Sequence, residues 1–265
     1  MKITVLGCWA PYPRAGGACS GYLLEGGGVR IMLEAGSGTL SRLMQHVDFR
    51  TLDAVIVTHL HHDHYLDLFP LRHAIEGARL DGSRDKPLDL YIPPEPAVEF
   101  SQMTDYHKAF QVFSIESLAE AKITSGFTAK ALDLGNLTLR FVATKHLLPG
   151  YAVSFQEIGG TSGKFVFSGD TAPTDQLTAL AQAADLFLCE ASGLDSDEKA
   201  MAEIHCTAGQ AGEIARTAGV KRLLLTHFWP EYHLAELQRM AETKFGSGVD
   251  LASEGTTYYI KTGEG

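Results

Sequence analysis

The chain reads as an α/β protein of 265 residues, and three features of the sequence carry that reading. Apolar runs of strand length alternate with stretches of helix length from end to end. No linker-like Pro-, Gly- or Ser-rich segment divides the chain, so residues 1–265 are expected to form one domain. Several apolar runs also end on a small polar residue followed by a side chain able to bind a metal. Val55-Ile56-Val57-Thr58 precedes His59, Phe141-Val142-Ala143-Thr144 precedes Lys145-His146, Phe165-Val166-Phe167-Ser168 precedes Gly169-Asp170, and Leu223-Leu224-Leu225-Thr226 precedes His227. Strands packed in layers would deliver these ends to one edge, where α/β proteins place their chemistry.

Taken in order, residues 3–7, 21–25 and 29–34 are strands, with Gly26-Gly27-Gly28 as a hairpin turn. No helix opens behind that glycine run, so it is not a dinucleotide fingerprint. A helix over 39–46 leads to a buried strand at 54–57 and a helix over 66–80. Residues 93–107 look helical after two prolines, and 131–144 and 151–157 look like strands of an antiparallel or mixed sheet. The second half alternates again: strand 164–168, helix 174–183, strand 186–189, helix 207–218, strand 222–226 and helix 233–245.

A chain of this length can bury about three quarters of its unfolded surface. Its 45% hydrophobic and 20% charged residues suit a folded globular protein. No apolar run approaches the roughly 20 residues of a membrane span, and the first residues read as a strand rather than a signal peptide, which places the protein in the cytoplasm. Cys8, Cys19, Cys189 and Cys206 lack zinc-knuckle spacing and read as reduced thiols. A net charge of -10 disfavours extended nucleic acid, because nonspecific phosphate binding needs clustered Lys and Arg.

Thr58-His59-Leu60-His61-His62-Asp63-His64 places four histidines and an aspartate within six residues directly after a buried strand. Imidazole and carboxylate at this density suit zinc, and also manganese or iron. The bland alternative is a solvated polar loop. Standing alone, His146 and His227 would be core or capping histidines, and Asp170 an N-cap ahead of Pro173.

The H-x-H-x-D-H pattern after a strand resembles the signature of the metallo-β-lactamase superfamily, and the similarity extends over nearly the whole chain. His146, Asp170 in Ser168-Gly169-Asp170-Thr171, and His227 in Thr226-His227-Phe228 follow in the family's order. The resemblance implies an αββα sandwich of two mixed β-sheets flanked by helices, with two divalent ions at one edge. It implies that His59, His61 and His146 hold one ion, that Asp63, His64 and His227 hold the other, and that Asp170 bridges them; Asp63 counts among the catalytic residues as well. His62 occupies the variable position of the motif and is left outside the ligand set. Two such ions can share a hydroxide that serves as nucleophile. No serine or cysteine nucleophile is then needed, and Cys189 and Cys206 read as structural or as residues packed just outside the ligands.

Glu203-Ile204-His205-Cys206-Thr207-Ala208-Gly209-Gln210-Ala211-Gly212 and the following residues 220–228 look like the ribonuclease Z branch of that superfamily and its phosphodiesterase relatives. There a histidine assists the leaving group, which implies His205 here, with Glu190 of Cys189-Glu190-Ala191 orienting it; Cys206 stands where the branch usually has serine. The alternatives are that His205 caps the helix from Thr207 and that Glu190 pairs with a nearby Lys or Arg. Residues 146–151 resemble the segment after which ribonuclease Z carries a tRNA-gripping arm, yet 151–168 leaves no room for one. Tyr151 reads either as a substrate-binding pocket residue or as a buried sheet tyrosine. The expected function is a metal-dependent phosphodiesterase acting on a small anionic phosphodiester such as a cyclic nucleotide or dinucleotide. Other readings are a tRNA 3′-processing endonuclease, a lactone, thioester or sulfate-ester hydrolase, and a metal-binding scaffold without turnover. Relatives of this kind are often dimers, so a homodimer is what the resemblance implies, while the lack of a membrane-length apolar run leads to the expectation of no membrane partner.

Overall fold

The structure, a computed structural model, describes residues 1–124, 126–160, 162–246 and 248–261. Strands β1 (Lys2–Gly7), β2 (Gly21–Gly26), β3 (Val29–Ala35), β4 (Ala54–Ile56), β5 (Leu88–Ile92) and β6 (Phe110–Ser114) form most of a first sheet. Strands β7 (Ala119–Lys122), β8 (Thr128–Leu134), β9 (Leu137–Ala143), β10 (Tyr151–Glu157), β11 (Phe165–Phe167), β12 (Leu186–Glu190), β13 (Leu223–Thr226) and β14 (Val249–Leu251) form a second sheet. β15 (Thr257–Tyr259) returns to pair with β1, so the first sheet runs β15-β1-β2-β3-β4-β5-β6.

Both sheets are mixed. β3 to β6 pair in parallel beside an antiparallel β15-β1-β2-β3. β7 to β11 are antiparallel, and β11 to β14 are parallel. The inner faces pack on one another through Ile3, Val5, Tyr22 and Leu24 of the first sheet and Phe141, Phe155, Phe165 and Phe167 of the second. Alternation along β1 to β4 turns Leu6, Leu23, Met32 and Val55 to the opposite face. There helices α1 (Thr39–Leu43), α2 (His62–Tyr65), α3 (Leu68–Leu80) and α4 (Ala97–Asp105) cover them. α5 (Asp175–Ala181), α6 (Glu198–Met201), α7 (Ala208–Thr217) and α8 (Leu234–Phe245) belong to the second half, and Leu177, Ile214 and Leu237 of α5, α7 and α8 join the main core. This is the αββα sandwich that the resemblance implied. Among the described residues no helix is long and apolar enough to cross a membrane.

The expected elements occur, with corrections of length. The strand read over 131–144 is a hairpin, β8 and β9, because Gly135 takes a left-handed φ of 56° and Asn136 follows it in the turn. The helix read over 39–46 stops at Leu43, and β5, β6, β7, β14 and β15 had not been anticipated. α7 begins after Thr207, whose hydroxyl accepts from Gln210 N at 3.2 Å while Gln210 Oε1 accepts from Thr207 N at 3.0 Å. Thr174 caps α5 in the same way through Leu177 N at 3.1 Å. Neither His205 nor Asp170 therefore acts as a helix cap.

Because β9, β11, β12 and β13 point the same way, their C-terminal ends share one edge of the second sheet, and β3 and β4 end together in the first. Gly36 sits where the turn after β3 meets the motif loop: a Cβ there would lie 2.1 Å from the Asp63 carbonyl oxygen and 2.7 Å from that of Ser20. Gly36→Ala must displace that backbone and should destabilise the fold by about 1–3 kcal/mol. Thermal denaturation checks this, and an unchanged midpoint would show that the turn gives way freely.

Candidate metal centre

The motif loop leaves β4 at Ile56, and Thr58 N donates to Glu34 Oε1 at 3.0 Å. His61 N-caps α2, with His64 N donating to the His61 carbonyl at 2.9 Å, and this short turn places Asp63 and His64 on the inner side. His146 follows β9, Asp170 follows β11 and His227 follows β13. The loops bearing His146 and Asp170 are tied together by Ala172 N to Lys145 O at 2.8 Å and by Lys145 N to Thr171 Oγ1 at 3.1 Å.

All seven expected ligands come together. His59, His61, His146 and Asp170 form one group of converging donor atoms, and Asp63, His64 and His227 form another. His61 Nδ1 lies 3.0 Å from both His59 Nε2 and His146 Nε2, and His64 Nε2 lies 3.2 Å from His227 Nε2. Asp63 Oδ2 is 3.5 Å from His64 Nε2 and 3.6 Å from His227 Nε2. Asp170 Oδ2 stands between the groups, 3.1 Å from His227 Nε2, 3.4 Å from His64 Nε2, 3.6 Å from His59 Nε2 and 4.0 Å from His146 Nε2.

These separations fit a divalent cation. Donors about 2.0–2.1 Å from a tetrahedral ion are about 3.4 Å from one another, and the observed spacings bracket that value. Ring nitrogens facing each other at 3.0 Å cannot all be satisfied as hydrogen bonds, since one proton serves only one contact. Asp170 Oδ1 is buried without a hydrogen-bond partner, as is expected of an oxygen placed for a cation.

The outer partners set which nitrogen faces inward. His146 Nδ1 donates to the Ile204 carbonyl at 2.7 Å, which frees Nε2 as a ligand atom. His227 Nδ1 lies 2.8 Å from Ser192 Oγ, and His64 Nδ1 lies 3.5 Å from Glu34 Oε2. Glu34 and His227 both hold left-handed backbone angles, φ 61° and 60°. Non-glycine residues adopt that conformation at some cost, and here both stand at the site. Sequence reasoning missed Glu34 and Ser192. A carboxylate ending the otherwise apolar run Ile31-Met32-Leu33 was the available signal for Glu34, and Ser192 offered none.

Electrostatics divides the ligands. Burial pushes His227 down, but the Asp170 and Asp63 carboxylates outweigh it and raise it to about 10. His64 is likewise raised well above the usual imidazole value, burial being overcome by Asp170 and Asp63. Burial alone would raise Asp170, yet His227, His64 and His59 hold it well below the ordinary carboxylate range. Burial dominates for His59, His61 and His146 and lowers all three, keeping them as neutral bases.

A cavity of about 350 Å³ opens on this cluster. His205 and the exposed His62 line it beside the ligands, and its walls include Pro11, Leu147, Met201 and Trp229. His205 Nδ1 is 3.1 Å from both oxygens of the fully buried Glu190. Burial would lower His205, but the Glu190 charge overcomes it and raises its pKa. Tyr151 is placed differently from the pocket reading. It is 7% exposed, its hydroxyl donates to Glu116 at 2.5 Å, and its ring meets Phe141, so it belongs to the sheet core and not to the cavity lining.

The Beta-lactamase superfamily domain matches residues 29–228, a span that holds all seven candidate ligands. The probable metallo-hydrolase YhfI of Bacillus subtilis is 30% identical, over 96% of this chain and 98% of that protein. Its crystal structure superposes with a TM-score of 0.86, covering 97% of this chain and 98% of that one. A ribonuclease Z of Ignicoccus hospitalis is 28% identical over 90% of this chain and 93% of its own length. Human tRNase Z, short form, shares the fold at 23% identity with a TM-score of 0.73, covering 98% of this chain and 99% of that one. The chain thus belongs to the β-lactamase superfamily, as a metallo-hydrolase of the metallo-β-lactamase fold.

Proposed function

We propose that this protein is a phosphodiesterase that works with two divalent ions and cleaves a small phosphodiester such as a cyclic nucleotide or dinucleotide. The observation that carries this reading is the His205–Glu190 pair at the lip of the ligand cluster. A carboxylate-held imidazole is a proton donor, and a donor serves best an ester whose leaving group is a poor alkoxide. Ions held by His59, His61, His146, Asp63, His64, His227 and Asp170 would supply Lewis-acid polarisation and a water acidic enough to act as nucleophile near neutral pH. Imidazole and carboxylate donors suit zinc, with manganese and iron as alternatives.

The chain's own groups do the rest. Pro11, Leu147, Met201 and Trp229 narrow the approach and offer apolar surface to the organic part of the substrate. No Lys or Arg lines the cavity among the described residues, so an anionic substrate would be held by the metal site and the cavity histidines. Relatives named ribonuclease Z make tRNA 3′-processing the second reading. A net charge of -10 and a cavity whose described lining has no Lys or Arg favour the small substrate. Four buried, unpaired cysteines fit the cytoplasm as its place of work.

Elemental analysis should find about two equivalents of transition metal per chain, with activity lost to chelators and metal binding weakened strongly in His59→Ala and Asp170→Ala. Protein carrying no stoichiometric metal after supplementation would sink the two-ion reading. Metal affinity should also fall as pH is lowered. His64 and His227 have raised pKa values, so their protons compete with the cation, and the competition grows toward acid. Zinc titrations at two pH values check the sign.

His205→Ala should keep its metals and lose about 10²–10⁴-fold in turnover of a phosphodiester with a poor alkoxide leaving group. The loss should shrink for p-nitrophenolate, which departs without a proton. Equal losses on both substrates would show that His205 does not protonate the leaving oxygen. Precursor tRNA should be a poor substrate, and efficient 3′ maturation at physiological salt would replace this reading with the second one.

A further inference from the structure

Ser192, two residues beyond β12 and 6% exposed, has its hydroxyl at the meeting point of two functional units. Its Oγ lies 2.5 Å from Glu190 Oε2, 2.8 Å from His227 Nδ1, 3.4 Å from His205 Nδ1 and 3.5 Å from the His227 carbonyl oxygen. A hydroxyl has one proton to give and two lone pairs to offer. The carboxylate at 2.5 Å takes the proton, because it is closer than the carbonyl and can only accept. The lone pairs then face His227 Nδ1, which must be the N–H end of that ring when Nε2 is used as a ligand atom.

The Glu190 carboxylate ties in more than the serine. Its Oε1 accepts from Thr171 N at 2.5 Å, the residue next to Asp170, and His205 Nδ1 reaches both oxygens at 3.1 Å. A continuous path therefore runs from the ligand His227 through Ser192 to Glu190, and from Glu190 to His205.

We propose that Ser192 is a positioning residue that couples a metal ligand to the proton donor, so that one buried carboxylate sets the ring tautomer of His227 and the orientation of His205 together. The His205 half rests on the phosphodiesterase reading above; the His227 half does not. Without the hydroxyl, the His227 Nδ1–H loses its acceptor in a buried place, and the ring is free to adopt the other tautomer or to turn. Glu190 loses one of the donors that fix its plane, and with it the alignment of His205.

The test compares wild type, Ser192→Ala, and the isosteric pair Ser192→Thr and Ser192→Val, in which only threonine keeps a hydroxyl. Zinc is titrated into the metal-free protein against a chromophoric chelator. Ser192→Ala and Ser192→Val should weaken one of the bound equivalents by about 10–100-fold, the usual effect of removing an outer partner of a ligand, and Ser192→Thr should bind like wild type. At zinc saturation, the rate on a poor alkoxide leaving group relative to p-nitrophenolate should fall in Ser192→Ala and Ser192→Val and recover in Ser192→Thr. In the zinc-loaded wild-type protein, nitrogen NMR of the histidine rings should show His227 protonated at Nδ1, a readout that needs no variant to fold. Zinc affinity unchanged in Ser192→Ala, threonine behaving like valine, or His227 protonated at Nε2 would each overturn the proposal. Should wild type hydrolyse no phosphodiester at all, the phosphodiesterase reading fails, while the zinc titrations of Ser192→Ala, Ser192→Thr and Ser192→Val still decide the role of Ser192, the NMR measurement checking the tautomer it presupposes.

Discussion

Two carboxylates, Asp63 and Asp170, are buried among five imidazoles, and almost every local feature of the loop edge follows from making that arrangement tolerable. A carboxylate removed from water needs compensating positive charge or hydrogen-bond donors. Asp170 has few donors: one oxygen faces four ring nitrogens and the other is buried without a hydrogen bond. Cations placed between the two groups would answer both needs, and the spacings between donor atoms are those such ions impose.

The sandwich exists, in functional terms, to hold those atoms still. Parallel strands end together at one edge, so side chains far apart in the chain, from His59 to His227, are delivered within a few ångströms by rigid elements and not by a flexible loop. An outer layer then holds two of the rings, the Ile204 carbonyl on His146 and Ser192 on His227, while the Glu34 carboxylate lies 3.5 Å from His64 Nδ1. Glu190 belongs to this layer and to the cavity at once, because it holds Thr171, Ser192 and His205. Its two oxygens accept from Thr171 N and Ser192 Oγ and lie 3.1 Å from His205 Nδ1, so the same carboxylate that holds the loop edge faces the proposed proton donor.

The local part of the site was legible in the sequence, because residues 59–64 sit together after an apolar run and their side chains have little reason to cluster otherwise. His146, Asp170 and His227 were marked by the apolar runs that end just before them, but their grouping into a ligand set came only through the resemblance, since each is one ordinary residue after a strand. Ser192 and Thr171 were not legible, because serine or threonine near a strand end is common and their roles depend on contacts reaching up to 35 residues along the chain; Glu34 offered only a carboxylate at the end of an apolar run, its partner Thr58 lying 24 residues on. The same limit applied to the fold. Most strands with clear apolar runs were found, but β5 and β6 were missed despite alternating apolar residues, β7 is too polar to announce itself, and β14 and β15 are three residues long. Tyr151 shows the reverse error, an aromatic near the ligands whose strand position turns it into the core beside Phe141.

In the proposed two-ion reading Asp170 is shared by both ions, and anomalous scattering from crystals grown with zinc tests that sharing most directly. Data collected on either side of the zinc absorption edge should show two peaks about 3.5–4 Å apart. One should lie among His59, His61 and His146, the other among Asp63, His64 and His227, with the Asp170 carboxylate in contact with both. A single peak at full occupancy, or two peaks of which only one touches Asp170, would contradict the account.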